Sequence, residues 1–151
     1  MTAVGVIGSG AWGTTLALML AKKGIVTTLW EHRPERAAEM QRSRENRLFL
    51  PGFAFPDSLV VTADIARAVR GADMLMLVTP SQKMRENVRL LAPYLGQETL
   101  CVSCSKGIEI GSLKRMTEVI VDEIPSTAHR VAALSGPTIS FEVAEGKPTA
   151  A

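Results

Sequence analysis

The chain has 151 residues, 46% of them apolar and 21% charged, with a net charge of +2, which suits one globular domain with its own core. That apolar fraction excludes a disordered chain, and no apolar run approaches the roughly 20 residues of a membrane span. The small charge, without basic clusters, argues against nucleic acid or a membrane surface as partner.

Met1 and Thr2 lead straight into Ala3-Val4-Gly5-Val6-Ile7 without the basic start and cleavage site of a secretory signal, so a cytoplasmic protein is expected. Val4 to Ile7 reads as a short buried strand. Ala11 to Lys23 then carries Leu16, Met19 and Leu20 at helical spacing and stops at Gly24. Ile25 to Glu31 reads as a second strand, and Pro34 opens an exposed, charge-rich helix reaching about Arg44. The loop from Asn46 to Pro56 holds Phe49, Phe53 and Phe55 between prolines and should pack on something. Leu59 to Val61 is a third strand, and Thr62 with Asp64 caps a short helix ending near Gly71.

Met74 to Val78 is uniformly apolar, as a central parallel strand requires. A helix is predicted from Ser81 to about Leu95, a strand from Leu100 to Cys104, and a helix from Ser112 to Ile124 stopped by Pro125. Val131 to Leu134 adds a strand and Thr138 to Glu145 a last short helix. Strands alternating with helical crossovers give an α/β fold with a doubly wound, mostly parallel sheet, whose ligands bind beyond the carboxyl ends of the strands.

Cys101 and Cys104 form a C-x-x-C, but His32 and His129 are isolated and no second ligand pair completes a zinc site, so no metal is expected. In a strand, positions three apart point to opposite faces and lie about 10 Å from each other, beyond disulfide reach. The two read as buried thiols in a reducing compartment.

Gly8-Ser9-Gly10-Ala11-Trp12-Gly13 is a G-x-G-x-x-G placed directly after the first strand and opening the first helix. The first glycine permits the tight turn, the second lets a pyrophosphate approach the backbone, and the third lets helix and strand pack closely. Unpaired N–H groups at the helix start then face the anion. The expected architecture is therefore a Rossmann-type dinucleotide-binding domain. At the end of the second strand Glu31 sits where an acid would meet the ribose 2′-hydroxyl of NAD, while Arg33, with His32, could hold the 2′-phosphate of NADP. Either cofactor, NAD or NADP, fits this reading.

Further ligand-edge segments follow the fourth, fifth and sixth strands. Thr79, Pro80 and Ser81 would pack against the nicotinamide half of the cofactor, although Ser81 reads equally as an N-cap. Lys106, between Ser105 and Gly107, places an ammonium in the cleft that could polarise a carbonyl or pair with a phosphate. Ser135-Gly136-Pro137-Thr138 offers backbone N–H groups and a hydroxyl, with helix capping an equal explanation of Thr138.

Taken together, Gly8 to Ala17, Leu29 to Arg33, Asn46 to Pro51, Val78 to Ser81, Ser105 to Gly107 and Ser135 to Thr138 resemble the bacterial NAD(P)-dependent glycerol-3-phosphate dehydrogenases along the whole chain. The resemblance implies reduction of dihydroxyacetone phosphate to sn-glycerol 3-phosphate for phospholipid synthesis. It implies that Ala11 and Trp12 lie against the cofactor, His32 and Arg33 near its adenosine end, and Phe49 and Ser140 beside it. Lys106 matches a lysine touching both cofactor and substrate, and Gly136 and Thr138 match substrate-binding positions. Ala11 departs from a frequent serine, and Thr138-Ile139-Ser140 from a usual Ser-Phe-Ala.

In the family a helical domain supplies the acid/base lysine and the basic residues for the substrate phosphate. The resemblance thus implies that residues 1–151 are the cofactor-binding domain of a longer enzyme, inactive alone, with a small-molecule substrate and a homodimer open to the full-length protein. Pro148 to Ala151 reads as the start of another strand. The alternatives are a β-hydroxy acid dehydrogenase of related architecture and a dinucleotide-sensing module without catalysis.

Overall fold

The computed structural model describes residues 2–151. Its elements are β1 (Ala3–Ile7), α1 (Ala11–Lys22), β2 (Val26–Trp30), α2 (Pro34–Ser43), β3 (Leu59–Thr62) and α3 (Ile65–Val69), followed by β4 (Met74–Leu77), α4 (Met84–Leu91), β5 (Leu100–Ser103), α5 (Met116–Glu123), β6 (Val131–Ala133) and α6 (Ser140–Ala144). The strands form one six-stranded sheet in the order β3-β2-β1-β4-β5-β6, and every pairing is parallel. The chain winds outward from β1 through β2 to β3, crosses back by α3, and winds the other way from β4. The order reverses between β1 and β4, where a doubly wound sheet opens its ligand crevice.

Both sheet faces are covered. Val4, Val6 and Leu29 pack with Leu16 and Leu18 of α1 and Met40 of α2 on one side. Ile7, Leu75 and Leu77 pack with Val69 of α3, Met84 and Val88 of α4, and Ile120 of α5 on the other. Each fully buried side chain of this kind contributes roughly 1.5–3 kcal/mol. Gly5 is required inside β1, since a Cβ there would stand 2.2 Å from the Ala68 carbonyl oxygen of α3. Cys101 and Cys104 fall in the two separate cores, on opposite sheet faces, and both are free thiols. Burial pushes their pKa values up to about 11 and about 12, with Arg130 partly offsetting the rise at Cys101.

The Asn46–Pro56 loop does pack. Leu50 and Phe55 are buried in the α1/α2 core, and Phe53 meets Phe141 edge-to-face with ring centroids 5.8 Å apart. No helix of the described residues is long and apolar enough to cross a membrane.

The structure departs from the predicted elements in four places. The helix expected from Ser112 begins only at Met116, because residues 108–115 fold back as a tight turn: Ile108 bridges Arg115 antiparallel and Leu113 is left-handed at φ 58°. The Ser112 hydroxyl donates to the Glu109 carboxylate instead of starting the helix. The predicted Ser81–Leu95 helix is an α-helix only over Met84–Leu91, flanked by 3-10 turns, the second carrying Pro93, which lacks the N–H an α-helix would use. The last helix starts at Ser140 rather than Thr138. Residues 148–151 form no strand, being turned against Gly136, whose Cβ position is 2.5 Å from the Ala150 carbonyl oxygen, instead of lying along β6.

Candidate dinucleotide site

A cavity of about 840 Å³ opens at the carboxyl edge of the sheet over the β1/β4 switch. Its floor is the turn from Gly8 to Gly13. Gly8 has φ +117°, a conformation side chains rarely adopt, and a Cβ there would meet the Val78 carbonyl oxygen at 2.6 Å. A Cβ on Gly13 would stand 1.9 Å from the Gly8 carbonyl oxygen, so this glycine sets how closely α1 packs on β1. Gly10 differs: its Cβ position has no atom within 4 Å, and the space belongs to the cavity. Gly10 is also the N-cap of α1, with no side-chain cap and no acidic residue in the first turn. The N–H groups of Ala11, Trp12 and Gly13 therefore have no intrahelical partner, as an anion site needs. These features fit a dinucleotide pyrophosphate.

Two buried side chains from distant segments hold that turn. The Asn46 amide donates to the Ser9 carbonyl oxygen and to Thr14 Oγ1, both at 2.8 Å. The Ser9 hydroxyl donates to the buried Glu31 carboxylate at the end of β2. Glu31 also accepts from the Arg33 backbone N–H at 3.0 Å, and contacts His32 Nδ1 at 3.1 Å and Arg36 Nη1 at 3.3 Å. The carboxylate expected to meet a ribose is thus occupied by its own chain. Arg33 and His32 remain exposed on the cavity wall, linked by a bond from Arg33 Nε to His32 Nε2. Phe49 lies over the Arg36 guanidinium, 4.9 Å from ring centroid to Cζ.

Across the crevice, Val78, Thr79, Pro80 and Ser81 line the cavity after β4, with Ser105 and Lys106 after β5. The Ser105 hydroxyl donates to the Thr79 and Leu77 carbonyl oxygens and so ties the two strand ends together. Ser81 is not an N-cap: the 3-10 turn starts from Pro80 without a side-chain cap, and the Ser81 hydroxyl accepts from Gln82. Lys106 Nζ donates to the Gly136 carbonyl oxygen at 2.8 Å, which joins two segments 30 positions apart. Thr138 lines the cavity and caps nothing, because α6 takes Ile139 as its N-cap. Ser140 also lines it, its carbonyl held by Thr15 Oγ1 at 3.2 Å.

Every cofactor-side residue singled out in the sequence therefore faces one cavity, as do Lys106 and Thr138, while Gly136 meets it through Lys106. Sequence reasoning missed the supporting roles of Asn46 and Arg36. A polar residue opening a loop and a charge on an exposed helix carry no local signal of burial. Among the described residues, no group of three or more His, Cys, Asp and Glu gathers as a metal cluster.

The family described as NAD-dependent glycerol-3-phosphate dehydrogenase N-terminus matches residues 3–151. A glycerol-3-phosphate dehydrogenase [NAD(P)+] of Chlorobium luteolum is 47% identical over 147 residues, 97% of this chain and 44% of the relative. One from Geobacter sp. (strain M21) is 47% identical over 148 residues, with the same coverage of both chains. Among solved structures, glycerol-3-phosphate dehydrogenase from Coxiella burnetii superposes with a TM-score of 0.89 at 31% identity, covering 98% of this chain and 45% of that one. The chain thus spans under half the length of the relatives it matches.

Proposed function

Because the chain belongs to the NAD-dependent glycerol-3-phosphate dehydrogenase family, we propose that residues 1–151 form the domain that holds the nicotinamide cofactor, NAD or NADP, for reduction of dihydroxyacetone phosphate to sn-glycerol 3-phosphate. The observation that carries this reading is the open space at Gly10 beside the uncapped start of α1, in one cavity with Lys106.

In this reading Gly8, Ser9, Gly10, Ala11, Trp12 and Gly13 hold the pyrophosphate through backbone N–H groups and the helix dipole. A missing serine hydroxyl at Ala11 leaves those backbone contacts intact. His32, Arg33 and Phe49 flank the adenosine, and Pro80 and Ser140 flank the other half of the cofactor. When bound, the cofactor supplies the hydride that adds to the substrate's C2 carbonyl carbon.

The chain's own part is orientation and charge. An ammonium has three donors; Lys106 uses one on Gly136, which leaves donors for a carbonyl oxygen as negative charge develops on it. Holding that nitrogen on a backbone carbonyl also fixes its position before substrate arrives. Thr138, with its hydroxyl free of capping, and Gly136 are proposed to complete the substrate contacts. The proton for the resulting alkoxide comes, in this reading, from the part of the relatives' length that this chain does not span. The same reading makes the full-length protein a cytoplasmic enzyme of phospholipid precursor synthesis and a homodimer.

Parallel titration of the 151-residue chain with NADH and NADPH is the first test. Micromolar-range binding without turnover of dihydroxyacetone phosphate is expected, and failure to bind either cofactor would overturn the reading. In the full-length protein, Lys106→Ala should lower kcat/KM about 10²–10³-fold. An unchanged rate would leave a dinucleotide-binding role without catalysis. Arg33→Ala should weaken NADPH more than NADH, since only NADPH carries a phosphate at the adenosine end.

A further inference from the structure

The end of β2 is where a dinucleotide site tells one cofactor from the other, and its chemistry here is unlike that of a free acid facing a ribose. A carboxylate has about four lone-pair sites. Glu31 meets four groups with them: the Ser9 hydroxyl, the Arg33 backbone N–H, His32 Nδ1 and Arg36 Nη1. Its side chain is 1% exposed. A ribose hydroxyl could donate to Glu31 only by displacing one of these partners, and each of them holds either the glycine turn or the start of α2 in place.

Arg36 is the complement of this arrangement. Its Nη1 faces Glu31 at 3.3 Å, its guanidinium lies under the Phe49 ring, and it lines the cavity. Its Nη2 is buried and has no hydrogen-bond partner among the described residues. A guanidinium N–H in that position needs an acceptor. The acceptor that suits a planar, permanently charged donor pair is a phosphate oxygen. Two guanidinium groups, Arg33 and Arg36, stand at this corner against the single carboxylate of Glu31, so the charge that would repel a phosphate is already neutralised.

We propose that Arg36, beside Arg33 and in place of Glu31, is a further specificity-determining residue for the adenosine ribose: it neutralises Glu31 and gives Nη2 to the 2′-phosphate of NADP(H). Glu31 is a strut that couples the glycine turn, through Ser9, to the adenosine end. This rests on the reading of the cavity as a dinucleotide site. The phosphate takes up the orphan donor, and Phe49 keeps the guanidinium plane fixed from one face.

The test is equilibrium titration of the full-length protein and its variants with NADPH, NADH and the fragment 2′,5′-ADP, with thermal melting of each variant to confirm folding. Arg36→Gln should raise the Kd for NADPH and for 2′,5′-ADP about tenfold, the size of one charge-assisted hydrogen bond, and leave NADH within about twofold. Arg36→Lys keeps the charge without the planar fork, and should lose affinity for the same two ligands by a smaller factor. Should Arg36→Gln fail to fold, Arg36→Lys decides by the same criterion. Glu31→Gln should move NADPH and NADH together, because it loosens a shared turn. Equal effects of Arg36 substitution on both cofactors, or none, would overturn the proposal. A selective loss of NADH in Glu31→Gln would do so too, by showing that Glu31 binds the ribose. Binding of neither cofactor to the unaltered protein would instead defeat the dinucleotide reading itself.

Discussion

Two carboxylates stand beyond the carboxyl ends of strands in opposite halves of the sheet, and each gathers cations. Glu31 after β2 is buried and receives a hydroxyl, a backbone N–H, a histidine and an arginine. Glu109 after β5 takes a bidentate bond from Arg85 at 2.7 Å to each oxygen, and Arg85 also reaches Asp122 and Glu123 of α5. The first cluster ties the floor of a cavity to its wall. The second ties a surface turn to α4 and α5, and none of its residues lines that cavity. The same chemistry therefore serves different ends, and burial separates them: removing one partner of the fully buried Glu31 strands the others, whereas the half-buried Arg85 cluster keeps further partners and access to water.

The largest expected effect is at the glycine turn. Gly13→Ala places a Cβ 1.9 Å from a backbone oxygen, which no side-chain motion relieves. It should cost about 3 kcal/mol in chemical denaturation, the upper end for overpacking, and abolish cofactor binding. Its counterpart in the surface turn, Gly111→Ala, meets no atom within 4 Å and carries only the strain of φ +92°. That substitution should cost about 1 kcal/mol and leave binding alone. Similar losses in the two variants would break the contrast between the regions.

Truncating the acids comes next. Glu31→Ala leaves Ser9, Arg36 and the Arg33 N–H without their acceptor, and should cost about 3 kcal/mol. Glu109→Ala should give a far smaller fall in Tm, because Arg85 keeps Glu123 and Asp122 and its side chain reaches water. Gly10→Ala is smaller still for stability, since its Cβ enters open space and its φ of −65° is ordinary. The same variant should weaken NADH and NADPH alike by about tenfold or more, in the titration used for the parent, since the methyl occupies the approach to the helix start. An unaltered affinity would mean that no ligand comes close to Gly10.

What could be read beforehand follows from how local each signal is. The doubly wound parallel sheet, its two covered faces and the glycine turn rest on periodicity and on neighbours in sequence, and they were legible, down to Cys101 and Cys104 on opposite faces. The turn at residues 108–115 was not, because Ser112 to Ile124 has helical composition, and the features that hold the helix back to Met116 are a bridge from Ile108 to Arg115 and a left-handed Leu113. The hydroxyls of Ser81 and Thr138 looked like caps by position, and the elements begin elsewhere. Glu31 was read as an acid at the end of the second strand, but its partners, Ser9 and Arg36, lie 22 positions before it and five after it, where no spacing rule joins them.

The smallest effect is the acid response of the Glu109 cluster. Arg85, then Ser112, hold Glu109 well below the ordinary carboxylate value, from 4.5 to about 2. A carboxyl whose folded pKa is depressed binds fewer protons folded than unfolded through this window. Its contribution is therefore complete above about pH 4.5 and is lost as pH falls toward about 2. Asp122 and Glu123 are lowered in the same direction, by Lys114 and Arg85 and by Arg89 and Arg85, and add to the loss. Melting curves of the parent and Glu109→Gln should diverge near neutral pH and converge on acidification, with the glutamine variant showing the shallower slope. If the two lines run parallel across that range, the Arg85 cluster is not what acid releases, and the contrast between a surface brace and a buried strut loses its electrostatic basis.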